Sequence, residues 1–241
     1  MGTQSIIEQG HDHGIIENPD APFDKLVLQY GPPRSGTTLV YNSLNRIFKR
    51  VGKTHQYLNF EGLSSFPDLC DNVVATYRDF RDICVSIWRV ENNIKPEELL
   101  NGGRKMTNQE ILDFTSITHH RCLNLNRYIE TKDEHNLLLL KYEDFYKNIP
   151  ALIKEYEKHF DIEISEELKA EIENSCSLKA HKKIADSLDS FKEHEEISLI
   201  HGYHILKNGE PGMWKQLVEP NSQEMITDLL QQYLEPFGYI E

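Results

Sequence analysis

Short apolar runs alternate with amphipathic stretches along this chain, and that alternation predicts its elements. Lys25 to Tyr30 (KLVLQY) reads as a short apolar strand running into Gly31-Pro32-Pro33. A helical pattern starts near Thr37, with Leu39, Leu44 and Ile47 as its inner stripe. Lys49 to Thr54 reads as a second strand, and Asn72 to Tyr77 (NVVATY) as a buried one. A helix follows over Phe80 to Glu91, with Ile83, Ile87 and Val90 inward, and Asn108 to Thr131 is a long helical stretch. Asn136 to Tyr142 (NLLLLKY) is the clearest buried strand, and a helix over Ile149 to Phe160 follows it. Helical patterns recur over Ser165 to Asn174 and Gln223 to Leu234. Strands that alternate with helices imply a mainly parallel central sheet flanked by helices on both faces, a three-layer α/β fold.

Composition narrows this picture without changing it. The 241 residues suffice for one large domain, expected over residues 23–241, with residues 1–22 as a flexible polar tail. His11-Asp12-His13 lies in that tail and reads as solvated, so no metal is expected there. No apolar run is long enough to span a bilayer, and the N-terminus has no apolar signal core, so a cytoplasmic protein with no membrane partner is expected. A formal net charge of -13 argues against nonspecific nucleic-acid binding, which needs clustered cations. It leaves room for a local basic pocket. Cys70, Cys84, Cys122 and Cys176 form no C-x-x-C pair and read as buried small hydrophobes in a reducing compartment.

The candidate chemistry begins where the first strand ends. A strand, a glycine turn and then a helix make an anion cradle, because backbone N–H groups and the helix N-terminus converge on one point. Gly31 and Gly36 allow close backbone approach, while Ser35, Thr37 and Thr38 add hydroxyls. The spacing of the two glycines matches half of a nucleotide-triphosphatase P-loop. The position after Gly36 should then be Lys, but it is Thr37, and the cation stands inside the loop at Arg34. A P-loop kinase or triphosphatase is therefore the second reading, since a triphosphate site relies on that lysine.

Pro33-Arg34-Ser35-Gly36-Thr37-Thr38 resembles the 5′-phosphosulfate loop of sulfotransferases that use 3′-phosphoadenosine 5′-phosphosulfate (PAPS). That family's pattern is Pro-Lys/Arg-Ser-Gly-Thr-Thr/Ser. The resemblance implies a P-loop-type fold and places Arg34 at the bridging oxygen and sulfuryl group. A second segment, from Asn72 to Ser86, resembles the family's strand-to-helix element for the 3′-phosphate, with Arg78 and Ser86 eight residues apart as its pattern requires. A planar guanidinium suits a phosphate, although Arg78 could also pair with Asp79 or Asp82 on the surface. A third segment, Leu206 to Lys215, resembles the family's Arg-Lys-Gly loop. Lys207 and Asn208 fall at its Arg-Lys, and Gly209 falls where a backbone N–H meets the 3′-phosphate. Asn208 lacks the charge, and Met213 replaces an Asp. The same resemblance puts Tyr142, in Lys141-Tyr142-Glu143-Asp144, near the adenine, and Leu178 where an adenine-stacking Phe is found. Leu39 likewise stands in place of an aromatic, and each loss of stacking surface is worth on the order of 1 kcal/mol.

Lys53-Thr54-His55 resembles the family's Lys-Thr/Ser-His. It implies His55 as general base and Lys53, with Arg34, as stabiliser of the sulfuryl oxygens. His119 and His120 are the alternative bases. The expected reaction moves a sulfuryl group from PAPS to a hydroxyl or amine of a small-molecule acceptor. Gln56 to Pro67, with Tyr57, Phe60 and Phe66, is expected to line the acceptor pocket. A protein that binds the nucleotide without turnover is a third reading, motivated by Asn208 and Leu178. Oligomeric state is left open, because the stretch after Trp214 lacks the family's short dimer motif. Sulfuryl transfer does not require a metal, since the sulfuryl carries less charge than a terminal phosphoryl. Transfer assayed in EDTA is therefore expected to proceed at its rate without chelator; loss with EDTA and recovery with magnesium would favour the kinase reading.

Overall fold

The computed structural model describes residues 13–55, 72–99, 103–130, 136–204 and 209–240. The strands are β1 (His13–Glu17), β2 (Phe23–Tyr30), β3 (Phe48–Thr54), β4 (Asn72–Tyr77) and β5 (Asn136–Lys141). The helices are α1 (Thr37–Ile47), α2 (Phe80–Glu91), α3 (Pro96–Leu99), α4 (Asn108–Glu130), α5 (Tyr142–Phe145), α6 (Ile149–Phe160), α7 (Glu166–Cys176), α8 (Leu178–Asp186), α9 (Trp214–Leu217) and α10 (Gln223–Leu234). The fold is α/β, with a five-stranded sheet flanked by helices and ordered β1-β3-β2-β4-β5. β3, β2, β4 and β5 are mutually parallel, and β1 runs antiparallel to β3.

The chain divides into two compact units: the part up to Tyr77 with Asn124–Ser177, and Arg78–Leu123 with Leu178–Glu241. The first holds the whole sheet. Its inner strands carry unbroken apolar runs because both of their faces are covered. Val27, Leu28 and Tyr30 in β2 and Val73, Val74 and Ala75 in β4 are all buried. The predicted stripe of α1 is buried as expected at Leu39, Leu44 and Ile47, and α1 lies on β2 and β3. A buried polar pair joins α1 to α6 within this core. The Ser43 hydroxyl donates to the Val40 carbonyl at 2.8 Å, and the Tyr156 hydroxyl of α6 lies 2.9 Å from Ser43 Oγ. With the serine proton committed, Tyr156 is the donor. Burial pushes the Tyr156 hydroxyl well above the usual tyrosine range, which keeps that proton in place.

The register puts the ends of three strands at one level. Tyr30 is paired with Thr54 on one side and Ala75 on the other. Gly31, His55 and Thr76 therefore emerge together at the carboxyl edge of the sheet, the edge at which open parallel sheets bind ligands.

In the second unit, Asp79 caps α2 by accepting the Arg81 N–H at 2.9 Å. Phe80 packs against Tyr233 of α10 and against Phe237, with ring centroids 5.4 and 5.3 Å apart. The start of α4 is a reciprocal cap. Glu110 accepts the Thr107 N–H at 2.9 Å, while Thr107 Oγ1 accepts the Glu110 N–H at 3.3 Å.

Several expectations are corrected. The flexible tail does not reach residue 22, because His13–Glu17 forms β1 and pairs with Arg50 and Val51. Ile15 and Ile16 supply the strand propensity, but a free sheet edge was needed to recruit them. His11 and Asp12 lie outside the described residues. Tyr142 does not end β5; it opens α5, after Lys141 in extended conformation. α8 was not predicted, because LKAHKKIAD carries too few apolar residues to show a period.

Removing the Ser43 hydroxyl should cost more than removing its partner. Ser43→Ala strands the buried Tyr156 donor and should cost about 1–3 kcal/mol, whereas Tyr156→Phe leaves Ser43 still bonded to Val40. Urea unfolding midpoints of the two variants check the order.

Candidate functional site: a cation-lined loop and an arginine-lined turn

The loop after β2 is pressed against β4. A Cβ on Gly31 would fall 2.3 Å from Thr76 Oγ1 and 2.9 Å from the Thr76 carbonyl oxygen, so no side chain fits there. Ser35, fully buried, closes the turn: its hydroxyl donates to the Pro32 carbonyl at 2.7 Å and its N–H reaches the same oxygen at 3.3 Å. Thr76 then donates to Ser35 Oγ at 2.8 Å. Ser35, expected among the ligand donors, thus directs both of its protons inward and shapes the loop.

The backbone of the loop turns left-handed twice, at Arg34 (φ 75°) and Gly36 (φ 89°). For the arginine this costs roughly 1–2 kcal/mol, strain of the kind that collects at functional loops. Gly36 has a second constraint: a Cβ there would lie 2.7 Å from Tyr142 Cδ2 and 3.0 Å from Phe145 Cζ. Tyr142 is therefore the floor beneath the loop, braced by Phe145 edge-on and Tyr146 stacked on it. Gly36 precedes α1, whose first turn has no acidic residue and no side-chain cap at Gly36. The partial positive charge of the helix start is thus directed at the loop. Pro33 and Thr38 are half-buried in it, and Thr37 is buried.

Lys53 brings a second cation. It is 4% exposed, and its Nζ donates to Thr38 Oγ1 at 3.0 Å and lies 5.7 Å from the Tyr41 ring centroid. No carboxylate pairs with it among the described residues. Burial, with a lesser push from the Arg34 charge, brings its ammonium down from 10.5 to about 7.

His55 follows directly after β3. Its Nδ1 lies 2.8 Å from the Gly31 carbonyl oxygen, which can only accept. Nδ1 therefore carries the proton, and in the neutral ring the lone pair is on Nε2. The candidate anion cradle is thus also the loop that orients the His55 ring. His119 sits elsewhere in this division, bonded to Tyr233 of α10 in the second unit.

The residues expected at a 3′-phosphate are in the second unit. Arg78 is 9% exposed and donates through Nη2 to Asp82 Oδ2 at 3.2 Å and to the Glu210 carbonyl at 3.1 Å. Of its two candidate acidic partners, it takes Asp82, and in a buried pair rather than at the surface. Asp79 takes Arg81 instead, at 2.8 Å, and the Arg81 guanidinium lies 4.2 Å from the Trp214 ring centroid. Ser86 is half-buried on α2. Gly209 (φ 69°) and Gly212 (φ 78°) give the following turn its left-handed backbone. Leu178 opens α8 half-buried, and Leu39 is core, so neither is an exposed platform. Lys207, Asn208 and the expected acceptor segment Gln56 to Pro67 lie outside the described residues.

Thr76 went unread in the sequence, and Asp82 was read there only as a possible surface partner of Arg78. Thr76 is the polar exception in NVVATY, the signal that could have marked it. Asp82 stands four residues after Arg78, one helical turn and within ion-pair reach, and its further bonds to the 212–214 backbone have no signal in sequence.

The comparisons with known proteins bear on this arrangement. The chain is similar in structure to mouse sulfotransferase SULT7A1 complexed with PAP, with a TM-score of 0.62, 17% identity, and coverage of 89% of this chain and 86% of that one. It is also similar to retinol dehydratase in complex with androsterone and inactive cofactor PAP, with a TM-score of 0.58, 18% identity, and coverage of 89% and 82%. No curated protein is recognisably similar in sequence. The family model described as the sulfotransferase domain matches residues 48–238, which takes in Lys53, His55, Arg78 and the 209–214 turn. The chain belongs to the sulfotransferase-domain family.

Proposed function

We propose that this protein transfers a sulfuryl group from PAPS to a hydroxyl or amine of a small-molecule acceptor, with His55 as general base. The observation that carries the reading is Lys53: a buried ammonium with no carboxylate beside it among the described residues, bonded to Thr38 of the same loop whose Gly31 carbonyl fixes the basic nitrogen of His55. A buried cation costs several kcal/mol unless an anion meets it. In this chain the anion is the 5′-phosphosulfate, which also matches the helix start and the glycine turn. The family membership and the PAP in the neighbouring structures support the nucleotide.

The reaction needs three things of these residues. His55 Nε2 takes the proton as the acceptor oxygen or nitrogen bonds to sulfur. The bond from sulfur to the bridging oxygen breaks, and the negative charge that collects on the departing 5′-phosphate is met by Arg34 and Lys53. Arg78, Ser86 and Gly209 are assigned to the 3′-phosphate, the group that distinguishes this nucleotide from AMP. Tyr142 serves by supporting Gly36.

Incubation with sulfur-labelled PAPS and a panel of hydroxyl and amine acceptors tests the reading, with label in an acceptor as the expected result. Nucleotide binding without transfer to any acceptor would support the non-catalytic reading instead. In the same assay His55→Ala should reduce transfer at least 100-fold, while calorimetry shows PAP affinity within about threefold of the wild type, the change expected from losing a group that does not touch the nucleotide. Lys53 gives the pH dependence. Its free-protein value of about 7 means that, at higher pH, anion binding must return a proton to it. PAP affinity should therefore fall as pH rises from 7 to 9, approaching tenfold per unit at most. Lys53→Met should flatten that slope.

A further inference from the structure

We propose that Asp82 is the positioning residue of the 3′-phosphate site: its carboxylate locks the Arg78 guanidinium and the 209–214 turn into one preassembled set of donors. This rests on the assignment of Arg78 and Gly209 to the 3′-phosphate made under Proposed function. It adds a residue that itself makes no contact with the nucleotide.

Asp82 is 1% exposed and sits in the first turn of α2. Its Oδ2 accepts the Gly212 N–H at 2.6 Å and Arg78 Nη2 at 3.2 Å. Its Oδ1 accepts the Trp214 N–H at 3.0 Å. Arg78 Nη2 also donates to the Glu210 carbonyl at 3.1 Å. Guanidinium and turn are thus tied together twice, once directly and once through the carboxylate. With Gly209 and Gly212 left-handed, the turn wraps amide protons around an anion, as a nest does, and the anion it encloses is the protein's own. The Arg81 guanidinium, itself paired with Asp79, lies over the Trp214 ring that follows.

Charge and position make opposite demands here. A carboxylate near a phosphate repels it, so by charge alone Asp82→Asn should tighten binding of a 3′-phosphorylated nucleotide. By position it should loosen it. The Asn side chain offers one acceptor oxygen to three donors, and its amide would point protons at a donor. A donor left buried without its acceptor is the more costly of the two effects.

The test compares PAP with AMP, which lacks only the 3′-phosphate. The readout is the ratio of the two dissociation constants by calorimetry. In wild type the ratio should favour PAP; a ratio near one would sink the 3′-site assignment itself, and the role of Asp82 with it. In Asp82→Asn the preference for PAP should drop roughly tenfold or more, with AMP affinity changing less than about twofold. A wild-type ratio favouring PAP that is unchanged or increased in Asp82→Asn would overturn the Asp82 role alone. A second measurement uses only the wild type and so does not depend on the variant folding. The Gly212 and Trp214 amides should already be protected from hydrogen exchange without nucleotide. Rapid exchange that slows only when PAP is added would show that the ligand, not Asp82, assembles the turn.

Discussion

The contact between Gly31 and Thr76 is the constraint on which the rest of the loop depends. Any Cβ at position 31 would stand only 2.3 Å from Thr76 Oγ1, so the position admits glycine alone, and the chain leaving β2 must pass over β4 at backbone distance. That path delivers Ser35 to the Pro32 carbonyl and Thr76, throws Arg34 into a left-handed turn, and leaves the Gly31 carbonyl within reach of His55. The shape of the candidate cradle and the orientation of the His55 ring thus follow from one close approach. Tyr142 supports the arrangement from below, because Gly36 has no more room for a side chain than Gly31.

Electrostatics divides the cations by task. Arg78 and Arg81 are buried against Asp82 and Asp79, and such pairs hold shape. Lys53 is buried against a hydroxyl and an aromatic face, and it gives up part of its charge to remain there. A cation already paired with a carboxylate is held in place, while one without a carboxylate gains most when an anion arrives. The net charge of -13 on the whole chain does not oppose this, since exposed acids are screened over about 10 Å and a buried ammonium is not.

Much of the architecture was legible because it depends on local pattern. KLVLQY, NVVATY and NLLLLKY are strands wherever a sheet exists to receive them, and the alternation with helices fixes their parallel sense. The candidate site was proposed from motifs: Arg34, Lys53, His55 and Arg78 were named from spacing and resemblance. What each does with its neighbours was not legible there. Ser35 and Thr38 look alike as loop hydroxyls, yet one closes the turn and the other receives Lys53. Arg78 had two acids within reach and takes the one a helical turn away, because Asp79 is engaged in capping α2.

By itself, then, the sequence determined which residues form strands, where the glycines permit a tight turn, and which cations stand near the carboxyl ends of the strands. These follow from side-chain period, backbone freedom and chain order, all local properties. Tertiary structure alone decided that His13–Glu17 joins the sheet edge, that Tyr142 packs under the glycine loop at Gly36, that Lys53 is buried with no carboxylate against it among the described residues, and that Asp82 gathers the 209–214 turn onto Arg78. Each joins positions far apart in the chain or sets a degree of burial, and both depend on what the rest of the molecule leaves exposed.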